Sequence, residues 1–426
     1  MYPAIALISF FGLLLLTVPV AIALGFGAII PAWFGAPVNT AQTVRTIITA
    51  IDSFPFLAVP LFMMAGDLMT QGGLARRLFS FADASIGRLN GGLAIATVLA
   101  CLLFGAISGS SPATVAAIGA MAIPLLTKQG YDLRFASVVV TTAGTLGVIV
   151  PPSIPMIIYG MSANVSVSAL FIGGVFPALV IAALLMGYAF WYGTKNKDKI
   201  TTTAGQVPYF IALRQSTWAL LAPVIVLGGI YTGIFTPTEA AAIAVAYSAF
   251  VSVFVFRELT LLGVVKTVAG TAVTIAPILI LAGTGAAIGR TLNLLGVPEM
   301  LGGLIGGAVS GPLMLLLVVN AMLLVVGMVM ETIAAIIVLT PILLPLMTGF
   351  DIDPIHFGMI MTVNLAIGFI TPPVGANLYI ASGLTGLSVV RIVQGLTVPL
   401  VLLLIGLAII TYVPQLTLWL PSVIGG

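Results

Sequence analysis

The sequence predicts an all-α, polytopic membrane protein made of two inverted repeats, each with a re-entrant helical hairpin and a broken transmembrane helix. Three observations predict it: too few charges for a soluble surface, two apolar regions interrupted at their midpoints, and prolines that recur at a fixed spacing. The 426 residues are 61% hydrophobic and 6% charged, whereas a soluble domain carries roughly 25% charged residues. An apolar exterior is stable in a bilayer, where spanning elements satisfy their own backbone hydrogen bonds. No polar stretch is long enough for a separate soluble domain, so residues 1–426 read as one membrane domain.

Apolar segments near or above the ~20 residues of a helical span occupy 4–30, 51–70, 134–160, 166–193, 214–232, 237–256, 268–290, 356–382 and 396–420. The first lacks a basic leading region and a clear cleavage site, so it reads as a retained span rather than a signal peptide. Regions 91–127 and 312–348 differ. Each is broken midway, at Ser108-Gly109-Ser110-Ser111-Pro112 and at Gly327-Met328-Val329-Met330-Glu331-Thr332. Each half is long enough to span alone, or each region is a re-entrant hairpin. Non-helical backbone at membrane depth is tolerated where it is buried in protein or lines a wet cavity.

The positive-inside rule decides between these options. The basic groups are Arg76, Arg77 and Arg88; Lys128 and Arg134; Lys195, Lys197 and Lys199; Arg257 and Lys266; and Arg391. A hairpin at 91–127 puts all five groups on one side, whereas a full crossing would set Lys128 and Arg134 opposite Arg88. Arg45 and Arg290 are the exceptions. The resulting topology has nine crossings, two hairpins, the N-terminus inside and the C-terminus outside. Residues 74–90 and 294–309 read as interfacial helices beside the hairpins. Repeat 1 covers about 51–193 and repeat 2 about 268–420, with scaffold segments at 4–70 and 214–290.

The repeat rests on a spacing of 221 residues, which pairs Pro124 with Pro345, Pro151 with Pro372, and Pro152 with Pro373. It also pairs Asp132 with Asp353, Thr141 with Thr362 and Gly147 with Gly368, among ten identities over 51 ungapped positions from residue 110. The mid-segment breaks fall at matched places. Under the charge-derived topology the first copy starts inside and the second outside, so the copies are inverted. Inverted repeats with discontinuous helices place substrate and ion sites where the copies meet.

Helix breaks expose unsatisfied carbonyls and N–H groups. Carbonyls and hydroxyls suit a hard cation, and a helix N-terminus suits an anion. The first copy offers Ser108, Gly109, Ser110 and Ser111, facing Thr142, Gly144, Pro151, Pro152 and Ser153. Consecutive prolines cannot continue a helix and free the carbonyls before them. The second copy offers Glu331 and Thr332, then Asn364, Gly368, Thr371, Pro372, Gly375 and Asn377. All of these but Asn377 are the substrate- or ion-binding candidates. Small residues at helix contacts are also routine membrane packing, and it is the matched grouping that points to a site. Glu331 has two readings: an intramembrane functional acid, or the N-terminal support of its half-helix. Thr236-Pro237-Thr238-Glu239 reads as a capping box.

Several function classes fall away. A net charge of +3 is too small to suggest nucleic acid. One cysteine, Cys101, and one histidine, His356, exclude an internal disulfide and Cys- or His-rich metal centres. A membrane-embedded enzyme is kept only as a remote alternative: it needs acids, histidines or a metal at depth, and the sequence has no H-E-x-x-H and no paired acids on an apolar segment. No catalytic residue and no organic cofactor is expected. A stand-alone sodium-coupled divalent-anion carrier remains an alternative within transport.

At these motifs the sequence resembles the large membrane subunit (DctM-like) of tripartite ATP-independent periplasmic (TRAP) transporters over nearly its whole length. The resemblance rests on Pro60-Leu61-Phe62 with Gly72-Gly73-Leu74, the run from Gly105 to Ser111, and Gly147 to Ser153. It continues through Gly233 to Ala241, Asp353 to Gly358, and Gly368 to Gly375. It implies an elevator-type transporter of the bacterial inner membrane, surrounded by lipid, that imports an organic acid such as a C4-dicarboxylate or sialic acid. It further implies a small four-helix membrane partner, a periplasmic substrate-binding protein, and Na+ as the coupling ion. The Na+ candidates carried over are Ser108, Gly109, Ser110, Thr142, Gly144, Pro151, Glu331, Gly368, Thr371 and Pro372.

Overall fold

The computed structural model describes residues 1–201, 207–306 and 311–424, which form helices and no strand. In chain order these are α1 (Tyr2–Leu15), α2 (Val20–Trp33), α3 (Thr40–Ile51), α4 (Ala58–Gln71) and α5 (Leu74–Ile86). The first hairpin is α6 (Gly92–Ser108) with α7 (Ser111–Lys128), and the first broken helix is α8 (Leu133–Ala143), α9 (Leu146–Ile149) and α10 (Ile154–Ala163). Then come α11 (Val167–Lys195), α12 (Tyr209–Tyr231), α13 (Pro237–Phe250), α14 (Leu261–Leu294) and α15 (Val297–Gly306). The second hairpin is α16 (Pro312–Val329) with α17 (Thr332–Gly349), and the second broken helix is α18 (Pro354–Gly368) with α19 (Ala376–Thr385). The chain continues through α20 (Val389–Val393), α21 (Thr397–Tyr412) and α22 (Gln415–Ile424).

Among the described residues nine helical stretches are long and apolar enough to cross a membrane, with α8–α10 taken as one and α4 and α13 each extended by an adjoining helical turn, or ten if the bent pair α21–α22 is one span. They include the hairpin arms α7, α16 and α17, so length alone does not separate a crossing from a re-entrant arm. The positions of the ends do. Leu93 and Gln129, at the two open ends of the first hairpin, line one cavity with Asp83 of α5. Pro312 and Gly349 likewise share a cavity at the open end of the second. Both regions turn back on themselves.

Packing also joins the five basic groups into one face. Glu258, beside Arg257, pairs with both Arg76 and Arg77. The Gly91 and Gly193 backbones are so close that a Cβ on Gly193 would sit 2.2 Å from the Gly91 Cα. The Thr201 N–H donates to the Gln129 carbonyl at 3.0 Å, and a Cβ on Gly395 would lie 3.3 Å from the Arg134 Cγ. Gly73 is needed at this face: its φ is 76°, and a side chain there would collide with the Glu258 carboxylate.

Three expectations are corrected. Residues 4–30 are not one span: the chain reverses at Leu16–Pro19, where Thr17 has a φ of 61°, and α1 packs back along α2. Thr17 and Pro19 end the first helix despite its unbroken apolar character. The N-terminus is consequently not on the basic face. A Cβ on Gly35 would lie 3.7 Å from the Tyr2 hydroxyl, and the Thr291 hydroxyl donates to the Ala28 carbonyl at 3.3 Å. Tyr2 therefore lies toward the C-terminal end of α14, away from Lys266. Residues 396–420 also bend, by 54° between α21 and α22, where Pro414 cannot continue the helix. The second interfacial helix is described over Val297–Gly306, and residues 307–309 lie outside the described residues.

The repeat is visible in matched local geometry. Asp132 and Asp353 are N-caps with φ −60° and ψ 134°, each accepting from the amides two and three residues on. Ser110 and Glu331 are the N-caps of the second hairpin arms. Pro151-Pro152 and Pro372-Pro373 are both cis. The Tyr159 hydroxyl donates to the Pro354 carbonyl at 2.6 Å, joining the end of the first broken helix to the start of the second. At the other extreme the Asn377 Nδ2 donates to the Thr141 carbonyl at 3.2 Å. The two broken helices run antiparallel, which is the inverted arrangement.

Candidate functional site

The first hairpin tip is pressed against the first break. Gly109 has a φ of 60°, and a Cβ there would sit 2.9 Å from the Pro152 carbonyl oxygen. Its own carbonyl accepts from the Ile154 N–H at 3.3 Å. Gly147 plays the complementary part, because a side chain there would come within 2.5 Å of the Ser110 carbonyl oxygen. Gly144 packs against Val115, where a Cβ would approach to 2.1 Å. Glycine at these places lets backbone carbonyls from tip and break crowd into one volume.

Three hydroxyls around this volume have their protons occupied. Thr142 donates to the Val138 carbonyl at 2.8 Å, Ser153 to the Val148 carbonyl at 2.6 Å, and Thr114 to the Ser110 carbonyl at 2.8 Å. Ser108 Oγ lies 3.1 Å from Thr114 Oγ1. A hydroxyl that donates to a carbonyl keeps its lone pairs for another partner. Ser108, Ser111, Thr142 and Ser153 are all buried, and Pro151 and Pro152 with them.

The second copy repeats the stitching with different chemistry. A Cβ on Gly368 would sit 2.3 Å from the Gly327 carbonyl oxygen, and the Val374 N–H donates to the Met328 carbonyl at 3.2 Å. Thr371 donates to the Ile367 carbonyl at 2.8 Å, beside Pro372. Gly375 opens α19 with a φ of 46°. Glu331 accepts from the amides of Ile333 at 2.9 Å and Ala334 at 3.2 Å, so its hydrogen bonds go to its own helix, next to buried Thr332. Asn364 sits deeper and donates to the Asn320 carbonyl at 3.0 Å.

Asn377 joins the copies. Its Nδ2 donates to Ser111 Oγ at 2.8 Å and to the Thr141 carbonyl, 266 and 236 residues away. A backbone carbonyl only accepts, so the amide orientation is fixed. The Asn377 Oδ1 and the Asn364 Oδ1 are then buried acceptors with no partner among the described residues. Buried polar atoms in native proteins are paired with protein, water or an ion. The centre where the repeats meet is thus rich in buried, electron-donating oxygens and has an unfilled acceptor. Sequence reasoning placed Asn377 in the second copy and did not show its reach into the first. It also passed over Thr114 and Asn320, although an asparagine inside the apolar run of α16 is a visible signal.

Residues 7–416 match the family described as "Tripartite ATP-independent periplasmic transporter, DctM component". The chain is 42% identical over 374 residues to the C4-dicarboxylate TRAP transporter large permease protein DctM of Pseudomonas aeruginosa, covering 88% of each. It is 38% identical over 411 residues to the ectoine/5-hydroxyectoine TRAP transporter large permease protein UehC of Ruegeria pomeroyi, covering 96% of each. The isethionate TRAP transporter permease protein DctMQ of Oleidesulfovibrio alaskensis is 42% identical over 419 residues; the match covers 98% of this chain and 66% of that longer protein. Two solved structures share the fold at a TM-score of 0.65 each. The YdaH transporter of Alcanivorax borkumensis is 15% identical, with 87% of this chain and 88% of that one covered. MtrF of Neisseria gonorrhoeae is 13% identical, with 92% of both covered. Apolar helices, family and relatives together make this a multi-pass protein of the bacterial inner membrane. The chain belongs to the DctM family, the large permease components of tripartite ATP-independent periplasmic transporters.

Proposed function

We propose that this permease imports an organic acid by sodium symport, with the cation held where the two repeats meet. The observation that carries the reading is the unpartnered, fully buried Asn377 Oδ1 beside Ser111 and Thr141. Unwound carbonyls and half-helix ends are what transporters of inverted-repeat architecture use for sodium. Ser108, Gly109, Ser110, Thr142, Gly144 and Pro151 form the first set of candidates. Gly368, Thr371 and Pro372 form the second, with Glu331 as the nearby acid. Asn364 Oδ1, likewise a buried acceptor without a partner among the described residues, suits a cation rather than an acid group.

The moving body in this reading is the pair of hairpins with their broken helices, and α4, α13 and α14 hold still. Support comes from the contact between α14 and α17. A Cβ on Gly285 would come within 1.7 Å of Ile337, and one on Gly289 within 2.8 Å of Pro341. A bare helix face against apolar side chains has no polar bonds to break during sliding. By family, a small membrane subunit and a periplasmic binding protein complete the system. Named substrates of relatives include a C4-dicarboxylate, isethionate and ectoine.

The test is uptake into liposomes holding both membrane subunits, with the binding protein outside. An inward sodium gradient should drive accumulation without ATP. Full-rate uptake with potassium in place of sodium, at matched membrane potential, rejects sodium coupling. Equal uptake with the binding protein omitted favours a stand-alone carrier instead.

A further inference from the structure

We infer that Arg290 makes the cavity between α14 and α10 an anion-attracting vestibule, a binding site for the acid group of the substrate outside the hairpin centre. The inference rests on the organic-acid reading above. A cavity of about 700 Å³ runs from Arg290 and Asn293, near the C-terminal end of α14, down to Phe56 and Ala282. On its other side it is lined by Asn164 at the end of α10 and by Pro341 of α17. It therefore lies between the elements assigned to the scaffold and those assigned to the moving body. Its mouth is remote from the basic face, so by the positive-inside rule it opens to the periplasm, where a binding protein releases its cargo.

Arg290 is the only charged residue lining this cavity among the described residues. Its Nη1 donates to Thr46 Oγ1 of α3 at 3.4 Å, and no carboxylate lies within ion-pairing distance among the described residues. It is also one of two arginines that break the charge pattern of the topology. A guanidinium carries a fixed fork of donors that matches a carboxylate or sulfonate. One sign of charge in a cleft with low-dielectric walls concentrates the opposite sign. Ser162, Asn164 and Asn293 line the same space and supply neutral donors for an acid's remaining oxygens.

The test needs no knowledge of the substrate. Leu294→Cys, in a Cys101→Ala background, places a thiol one helical turn from Arg290. The probes are a sulfonate-bearing and a trimethylammonium-bearing methanethiosulfonate, applied to the complex of both membrane subunits. The anionic reagent should react faster relative to the cationic one than it does with a free thiol, by roughly five-fold or more. Arg290→Ala should abolish that preference and Arg290→Lys should keep most of it. In the liposome system, with succinate and isethionate as probes, Arg290→Ala should raise the half-saturating concentration of the transported anion several-fold. A reagent ratio equal to that of a free thiol with Arg290 present overturns the proposal, and so does a ratio unmoved by Arg290→Ala. Either result leaves sodium-driven uptake of an acid standing. Absent uptake of any acid rejects the organic-acid reading, while the reagent ratio still decides the vestibule.

Discussion

Around Pro151-Pro152 every residue from Thr141 to Gly160 is buried, whereas around Pro372-Pro373 the chain is partly open, with Pro373 and Val374 exposed. The two breaks share N-caps, peptide geometry and hairpin contacts. They differ in their neighbours. The first lies under α11, whose Gly174 would put a Cβ 3.3 Å from the Ile149 carbonyl oxygen, and beside α4, whose Gly66 would put one 3.1 Å from the Ser108 Cα. It also receives Asn377 from the second repeat; at the spacing of 221 the counterpart of Asn377 is Met156, which packs on Gly174. Local chemistry sets the backbone of both breaks, and tertiary neighbours set which one is accessible.

The largest expected effects test the shared backbone. Gly147→Ala and Gly368→Ala each drive a methyl group against a backbone carbonyl, at 2.5 and 2.3 Å. Both should destabilise by about 1–3 kcal/mol, the usual range for overpacking, and both should lower uptake. Thermal unfolding of the detergent-solubilised complex measures this. A loss in one variant with none in the other breaks the equivalence of the copies.

The next effect sharpens the difference. Asn377→Leu strands the Thr141 carbonyl and the Ser111 hydroxyl, and should cost about 1–3 kcal/mol as an unsatisfied buried pair does. Met156→Leu keeps volume and polarity, and should cost less than about 1.5 kcal/mol. Similar losses in the two variants would make Asn377 a packing residue and remove its role between the repeats.

How much of this was legible in the sequence follows the range of the interactions involved. Proline, glycine and the capping aspartates act on their own backbone, so the hairpin tips, the breaks and the spacing of 221 were readable without tertiary information. The reversal at Thr17 was hidden because an apolar window records length and hydropathy, and both helices of that hairpin are apolar. The bend at Pro414 was missed for the same reason. The contact of Asn377 with Ser111 joins residues 266 apart, and no periodicity reports it. Arg290 was visible as an exception to the charge pattern. Its place in a cavity with Asn164 required the fold.

The smallest effects concern the caps at the matched tips. Glu331 accepts at 2.9 and 3.2 Å, while the Ala113 N–H reaches Ser110 Oγ only at 3.5 Å. Loss of an N-cap costs about 0.5–2 kcal/mol. Glu331→Ala should fall at the upper end of that range and Ser110→Ala at the lower end, read from melting temperatures on parallel preparations. The reverse order would mean that Ser110 stabilises through something other than its helix.

The most direct test of a cation between the repeats is the melting temperature of the membrane complex in NaCl against KCl at equal ionic strength. A ligand that binds only the folded state stabilises it by RT ln(1 + L/Kd), with L its free concentration. The wild-type complex should melt higher in sodium. Asn377→Ala should lose that difference, and Gly228→Ala should keep it, since a Cβ at Gly228 meets nothing within 4 Å. Equal melting in the two salts, or a sodium-specific shift that survives Asn377→Ala, contradicts the account.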